Sequence, residues 1–113
     1  MKYVIAIIQP DRVQDVLAKL EEKEIHLVTV SQVLGRGRQK GVAEVYRSHK
    51  EPGNLLKKVK LEIAVNDAFL APTIEAITGG ARTGQIGDGK IFILDLAEVI
   101  RIRTGETGGP AIG

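Results

Sequence analysis

An α+β fold, in which two strand–helix–strand units share one antiparallel sheet with both helices on one face, is what the hydrophobic pattern predicts. Three observations carry it. Two segments with apolar residues at helical spacing are each bracketed by short runs rich in β-branched residues. A long stretch without sustained periodicity separates the two units. The strand-like runs also carry apolar residues enough for both faces of a sheet.

Lys2 to Ile8 is an apolar, β-branched run, expected to be a strand buried on most of both faces. Gln9-Pro10-Asp11 breaks it and suits a helix start. Val13, Val16, Leu17 and Leu20 then recur at helical spacing, with charged residues between them. Ile25 to Leu34 reads as a second strand, with His26 a partly exposed strand residue at its start. From Gly35 to about Leu56 no period persists, which in a compact domain marks a functional or disordered segment. Val59, Leu61, Ile63 and Val65 alternate with Lys60, Glu62 and Ala64 as a strand with one buried face. Asn66-Asp67 is expected to cap a helix whose apolar side is Phe69, Leu70, Thr73, Ile74 and Ile77. Pro72 should make its entry irregular, and Gly79-Gly80 should weaken or end it. Ile91 to Leu96 is the fourth strand, a short helical turn is expected over Ala97 to Ile100, and the tail from Gly105 is glycine-rich. This order is the ferredoxin-like βαββαβ arrangement with a long loop between strands 2 and 3. One sheet face is left bare, yet Ile5, Val30 and Ile93 add apolar groups to both faces, so a closed homo-oligomer is expected.

The 113 residues form a single domain with one hydrophobic core. Cysteine is absent, which excludes disulfides, thiolate metal sites and a cysteine nucleophile, and fits a reducing cytoplasm. No apolar run reaches the roughly 20 residues of a membrane span, and the amino terminus does not read as a signal peptide. Net charge is +2, but residues 35 to 60 hold eight basic residues against Glu44 and Glu51. A basic segment on a mildly acidic body points to an anionic ligand or an acidic partner. The two histidines are scattered and no carboxylate pair stands out, so an enzyme is not expected. Four aromatic residues outside the required pattern argue against an RNA-recognition sheet, and no nucleic-acid partner is expected.

Three stretches offer phosphate donors. Thr83-Gly84-Gln85-Ile86-Gly87-Asp88-Gly89-Lys90 places three glycines and a lysine just before a strand. Backbone N–H groups there can form a concavity and the lysine can reach a phosphate; a tight turn into the strand is the plainer alternative. Arg101 and Arg103, at i and i+2, would point the same way in extended chain and clamp a polyphosphate, or form a solvated basic edge. Gly35 to Gly41 is a basic glycine stretch that reads equally as a flexible charged linker.

Taken together, Gly35-x-Gly37-Arg38-Gln39-Lys40-Gly41, Glu44-x-Tyr46-Arg47, Lys58-Val59-Lys60-x-Glu62, Ala81-Arg82-Thr83-Gly84, Gly87-Asp88-Gly89-Lys90-Ile91-Phe92 and Ile100 to Gly105 resemble the PII nitrogen-regulatory signalling family over essentially the whole chain. The resemblance implies one PII-like domain over residues 1–113, with a mobile partner-binding loop at 37–55, a phosphate loop at 82–90 and a C-terminal segment at 101–113. It implies a cytoplasmic homotrimer binding ATP or ADP between neighbouring subunits and sensing 2-oxoglutarate. Gly87, Asp88, Gly89, Lys90, Arg101 and Arg103 would hold the phosphates, and Ile7, Gly35, Gly37 and Arg38 would line the same cleft. Thr29, Glu62 and Ala64 would contribute around the adenine or from the adjoining subunit. Gln39 would help hold a Mg²⁺ bridging ATP and 2-oxoglutarate, Lys58 would pair with a carboxylate of the acid, and Lys40, Gly41 and Gly87 would complete that site.

The chain departs from the family pattern at three places. Glu51 stands where many bacterial members carry the uridylylated tyrosine, Arg36 where the residue is often aromatic, and Gln9 where it is often basic. The function implied is regulation of nitrogen metabolism or of a transporter through the long loop, with any membrane contact made through that transporter. The alternative is a PII-like regulator of another transport system, such as metal efflux, with an altered or absent 2-oxoglutarate response.

Overall fold

The computed structural model describes residues 1–36, 50–51 and 55–113. Along these run β1 (Lys2–Ile8), a 3-10 turn (Pro10–Arg12), α1 (Val13–Glu22), β2 (Thr29–Gly35), β3 (Lys50–Glu51) and β4 (Leu55–Val65). A second 3-10 turn (Asp67–Phe69), α2 (Leu70–Ala81), β5 (Gly89–Asp95) and a short α3 (Gly109–Ile112) follow. The described strands lie in the order β2-β4-β1-β5, all antiparallel, with β3 pairing onto the start of β4. This is the predicted ferredoxin-like arrangement.

Strand alternation decides what is buried. Val4, Ala6 and Ile8 of β1 are nearly inaccessible, beside Leu61 and Ile63 of β4, Val16 and Leu20 of α1, and Ala76 and Ile77 of α2. Burying each large side chain stabilises the fold by roughly 1.5–3 kcal/mol. The other sheet face carries Tyr3, Ile5 and Ile7, in register with Ala64, Glu62 and Lys60 on β4 and with Leu94, Phe92 and Lys90 on β5. Phe92 and Leu94 are exposed there. Within one chain, therefore, β1 is buried on one face, not on most of both. Val30 and Ile93 share the helix-facing side by register yet stay exposed at the sheet edges.

Five local expectations are corrected. The second strand begins at Thr29, because the preceding residues end α1. Ile25 N–H donates to Leu20 O at 2.9 Å and Glu24 N–H to Glu21 O at 3.0 Å, a Schellman cap with Glu24 at φ 61°. Ile25 is spent in that cap as a buried contact, and His26 is an exposed, non-strand residue bonded to Glu21. β4 starts at Leu55, four residues before Val59, because Leu55 and Leu56 pair with β3. Asn66 does not cap the next helix with its side chain; its amide donates to Gly109 O at 3.2 Å. α2 runs through Gly79-Gly80 to Ala81. A Cβ on Gly80 would lie 2.7 Å from Val16 Cα, so this glycine permits the close crossing of α1 and α2. Finally, Ala97 to Ile100 is not helical: Ile100 bridges to Thr107, and Gly108 N–H donates to Val99 O at 3.0 Å.

No helix among the described residues is long and apolar enough to cross a membrane. The stretch expected to be the mobile loop, 37–55, lies outside the described residues except for β3 and Leu55.

Candidate functional site

The glycine loop follows the last turn of α2, where Arg82 N–H bonds Thr78 O at 3.0 Å. Its shape is set by Asp88. One carboxylate oxygen accepts the N–H groups of Thr83 and Gly84, each at 2.8 Å, and the other accepts the Thr83 hydroxyl at 2.5 Å. Gln85 N–H then donates to that hydroxyl at 3.2 Å. An ionised acceptor drawing several donors fixes a loop more firmly than neutral pairs would. The chain reverses at Gly87 and Gly89, with φ of 95° and 108°. At Gly89 a Cβ would sit 1.8 Å from Ile7 O, so only glycine fits. From below, the fully buried Gln9 donates its amide to Gly87 O at 2.6 Å.

Lys90 then enters β5 on the bare face, opposite Ile7, which is opposite Lys60, which is opposite Ser31. The next row on that face holds Thr29, Glu62, Ile5 and Phe92, and Ala64 follows beside Tyr3. The Tyr3 hydroxyl donates to Glu62, and that bond, seconded by Lys60, holds the Glu62 carboxyl below the usual carboxylate range. Glu62 in turn pushes the Tyr3 phenol above its usual range. Lys58 is buried, 8% exposed, with its stem alongside Gly35. On the helix side of the loop, Ile8, Ile77 and Ile91 floor a cleft of about 300 Å³ rimmed by Arg82, Asp88 and Lys90.

The structure thus gathers Ile7, Gly35, Lys58, Gly87, Asp88, Gly89 and Lys90 toward one end of the sheet, with Thr29, Glu62 and Ala64 farther along the same face. Arg101 and Arg103 are elsewhere. Their segment is tied through Gly109 to Asn66, just beyond the Lys2–Val65 pair at the opposite end. Five residue steps along β1 separate that pair from the Ile7–Lys90 pair, roughly 17 Å. The expected extended fork is also absent. Residues 102–104 form a turn closed by Gly105 N–H on Arg101 O at 2.8 Å, so alternation does not align the two side chains. The reversal uses Gly105 and Gly108, both at φ 74°. Arg101 instead donates to Glu106 at 2.9 Å and to Pro110 O at 3.1 Å, while Arg103 is exposed.

Gly37, Arg38, Gln39, Lys40 and Gly41, expected around the nucleotide, the acid and the metal, lie outside the described residues. Among the described residues there is no group of three or more carboxylates and histidines that could hold a metal. Sequence reading missed the Thr83–Asp88 clasp, the Gln9 anchor and the Glu106 contact. A hydroxyl and a carboxylate five residues apart across a glycine loop was the available signal for the first. Arg101 and Glu106 are also five residues apart, across a turn that the extended reading of the segment hid, whereas Gln9 and Gly87 join segments that no local pattern relates.

A family model described as nitrogen regulatory protein P-II matches residues 1–106. Among curated proteins, the nitrogen regulatory protein GlnK1 of Methanosarcina mazei is 56% identical over 99% of this chain and 97% of its own. The nitrogen regulatory protein P-II of Azospirillum brasilense is 47% identical over 99% of this chain and 100% of its own. Among solved structures, Arabidopsis thaliana PII bound to citrate superposes with a TM-score of 0.80 at 41% identity, over 97% of this chain and 87% of that one.

Proposed function

Because the chain belongs to the nitrogen regulatory protein P-II family, we propose that it is a cytoplasmic signal-transduction protein that reads ATP or ADP in clefts between copies of a homotrimer. The observation that carries this is the separation of the phosphate donors. Lys90 and the glycine loop sit at one end of the sheet, Arg101 and Arg103 at the other, and a single chain cannot bring them onto one polyphosphate. Two copies packed through the bare face can. Exposed Phe92 and Leu94 on that face, and Ile102 at 99% exposed between the two arginines, favour such packing.

In this reading the loop from Gly87 to Lys90 of one copy offers backbone N–H groups and an ammonium to the phosphates, and Arg101 and Arg103 of a neighbour close over them. Ile7 and Gly35 flank the cleft, with Thr29, Glu62 and Ala64 supplied by the adjoining copy. Buried Lys58 suits the far carboxylate of a small keto acid, and we assign it to 2-oxoglutarate together with Gly87 and residues 39–41. The Arabidopsis relative bound to citrate is in keeping with a fold that takes small organic acids. Gln39 would be the protein ligand for Mg²⁺, which would supply positive charge to offset the negative charge of the nucleotide and the acid. Occupancy would then bias the 37–55 segment toward or away from a target protein, a transporter or a metabolic enzyme. With Glu51 in place of the tyrosine, ligands alone would set that state.

Light scattering should give a trimer at micromolar concentration. In calorimetry, Lys90→Ala and Arg103→Ala should each weaken ATP by about tenfold or more, the usual scale for a lost charge-assisted contact. A stable monomer, or ATP affinity unchanged in both variants, would rule out the intersubunit site.

A further inference from the structure

Arg101 is held at two points before any ligand arrives. Its Nη1 donates to Glu106 Oε1 at 2.9 Å and its Nη2 to the Pro110 carbonyl at 3.1 Å. The same Glu106 oxygen accepts the Thr104 hydroxyl at 2.8 Å, and Thr104 Oγ1 takes the Glu106 N–H at 3.2 Å. The backbone closes the turn twice more, with Arg101 N–H on Glu106 O at 2.9 Å and Gly105 N–H on Arg101 O at 2.8 Å. A guanidinium has five N–H donors, so these contacts fix its plane and leave three for an anion.

We propose that Glu106, braced by Thr104, is a positioning residue for polyphosphate binding, aiming the guanidinium of Arg101 at the phosphates. The inference rests on the nucleotide reading above. Two effects oppose each other. The carboxylate is partly exposed, so its repulsion of a phosphate beyond Arg101 is screened by water and salt to about twofold in affinity. Freezing a free arginine on binding instead costs about two- to tenfold, and a prefixed one avoids that loss. Positioning wins, and the sign of the net effect is measurable.

The experiment is calorimetric titration of the full chain with ATP, and with adenosine as a phosphate-free control read by competition. Glu106→Ala should weaken ATP about fivefold and leave adenosine unchanged, because the loss falls on phosphate contacts. Glu106→Gln keeps an acceptor oxygen for Arg101 and should return ATP affinity to within about twofold of wild type. Thermal melts of both variants control for folding. Tighter ATP binding by Glu106→Ala would overturn the proposal and make the carboxylate a competitor for Arg101. Unchanged ATP affinity, or equal losses for ATP and adenosine, would overturn it too. A wild-type chain that bound no ATP would instead remove the nucleotide reading, and this inference with it.

Discussion

The glycine-loop end and the C-terminal end of the sheet both offer cations on tight turns, but they are held in different ways. At the glycine loop the Asp88 clasp is local, and distant parts of the chain reinforce it. Buried Gln9 grips Gly87, and Ile7 O sits where a Gly89 side chain would have to be. At the C-terminal end the turn is braced mostly within itself, by Arg101, Thr104, Glu106 and Pro110, with Asn66 tying Gly109 to the body. Ile100 and Ile102 stay exposed there, at 63% and 99%. The first end is tied to the core through Gln9 and Ile7, with Ile86 its one large exposed apolar side chain, at 49%. The second is ordered locally and has its apolar side chains still to bury, as expected of an element that meets another copy.

The sharpest way to break this comparison is a methyl group at each end. Gly89→Ala places a Cβ 1.8 Å from a backbone oxygen, at φ 108°. Strand β1 or the loop must move, and the expected loss exceeds roughly 3 kcal/mol in chemical denaturation, beyond the usual range for overpacking. ATP binding should fail with it. If Gly89→Ala folded and bound normally, the loop would not be fixed by Ile7.

Gly105→Ala is the matched test. Its φ is 74°, yet a Cβ there meets nothing within 4 Å. The cost is conformational alone, roughly 1–2 kcal/mol for a left-handed alanine. The melt should fall by several degrees at most, well short of the Gly89→Ala loss, while hydrogen exchange in 100–108 should rise. A loss as large as that of Gly89→Ala would mean that the C-terminal turn is integral to the core, and the contrast would collapse.

This difference in support also explains how much could be read from the sequence. The core strands and α1 were legible because Lys2 to Ile8 is a continuous apolar, β-branched run, Val59, Leu61, Ile63 and Val65 alternate, and Val13, Val16, Leu17 and Leu20 recur at helical spacing. The glycine loop was legible because its composition is local. The cap at Glu24 was not, since a glutamate occupies a position where glycine is usual, and Ile25 looks like strand. α2 passes through Gly79-Gly80 because contact with Val16 outweighs the low helix propensity of glycine. The arginine fork failed because i, i+2 alignment holds only in extended backbone, and two glycines reverse the chain there. Recovering Gln9 and Tyr3 as supporting residues required knowing which segments meet, and recovering Glu106 required knowing that its segment turns.

The smallest expected effect lies between the two ends, on the bare face. Tyr3 donates to Glu62, which lowers the carboxyl's folded pKa, and Glu62 raises that of the phenol. A carboxyl lowered on folding contributes stability above its unfolded pKa, and that contribution disappears as pH falls through the folded value. A phenol raised on folding contributes below its unfolded pKa, near 10, and that contribution disappears as pH rises through the higher folded value. The bond should therefore stabilise the chain over a plateau from about pH 5 to about pH 10. Tyr3→Phe removes the donor and leaves the ring. The stability gap between wild type and Tyr3→Phe, from denaturant midpoints, should be flat across that plateau. It should narrow on both sides, toward acid because Glu62 gains a proton and toward alkali because Tyr3 loses one. A gap independent of pH would mean that the Tyr3 hydroxyl contributes nothing through the ionised Glu62 carboxylate, and that Glu62 stands on the bare face without its support.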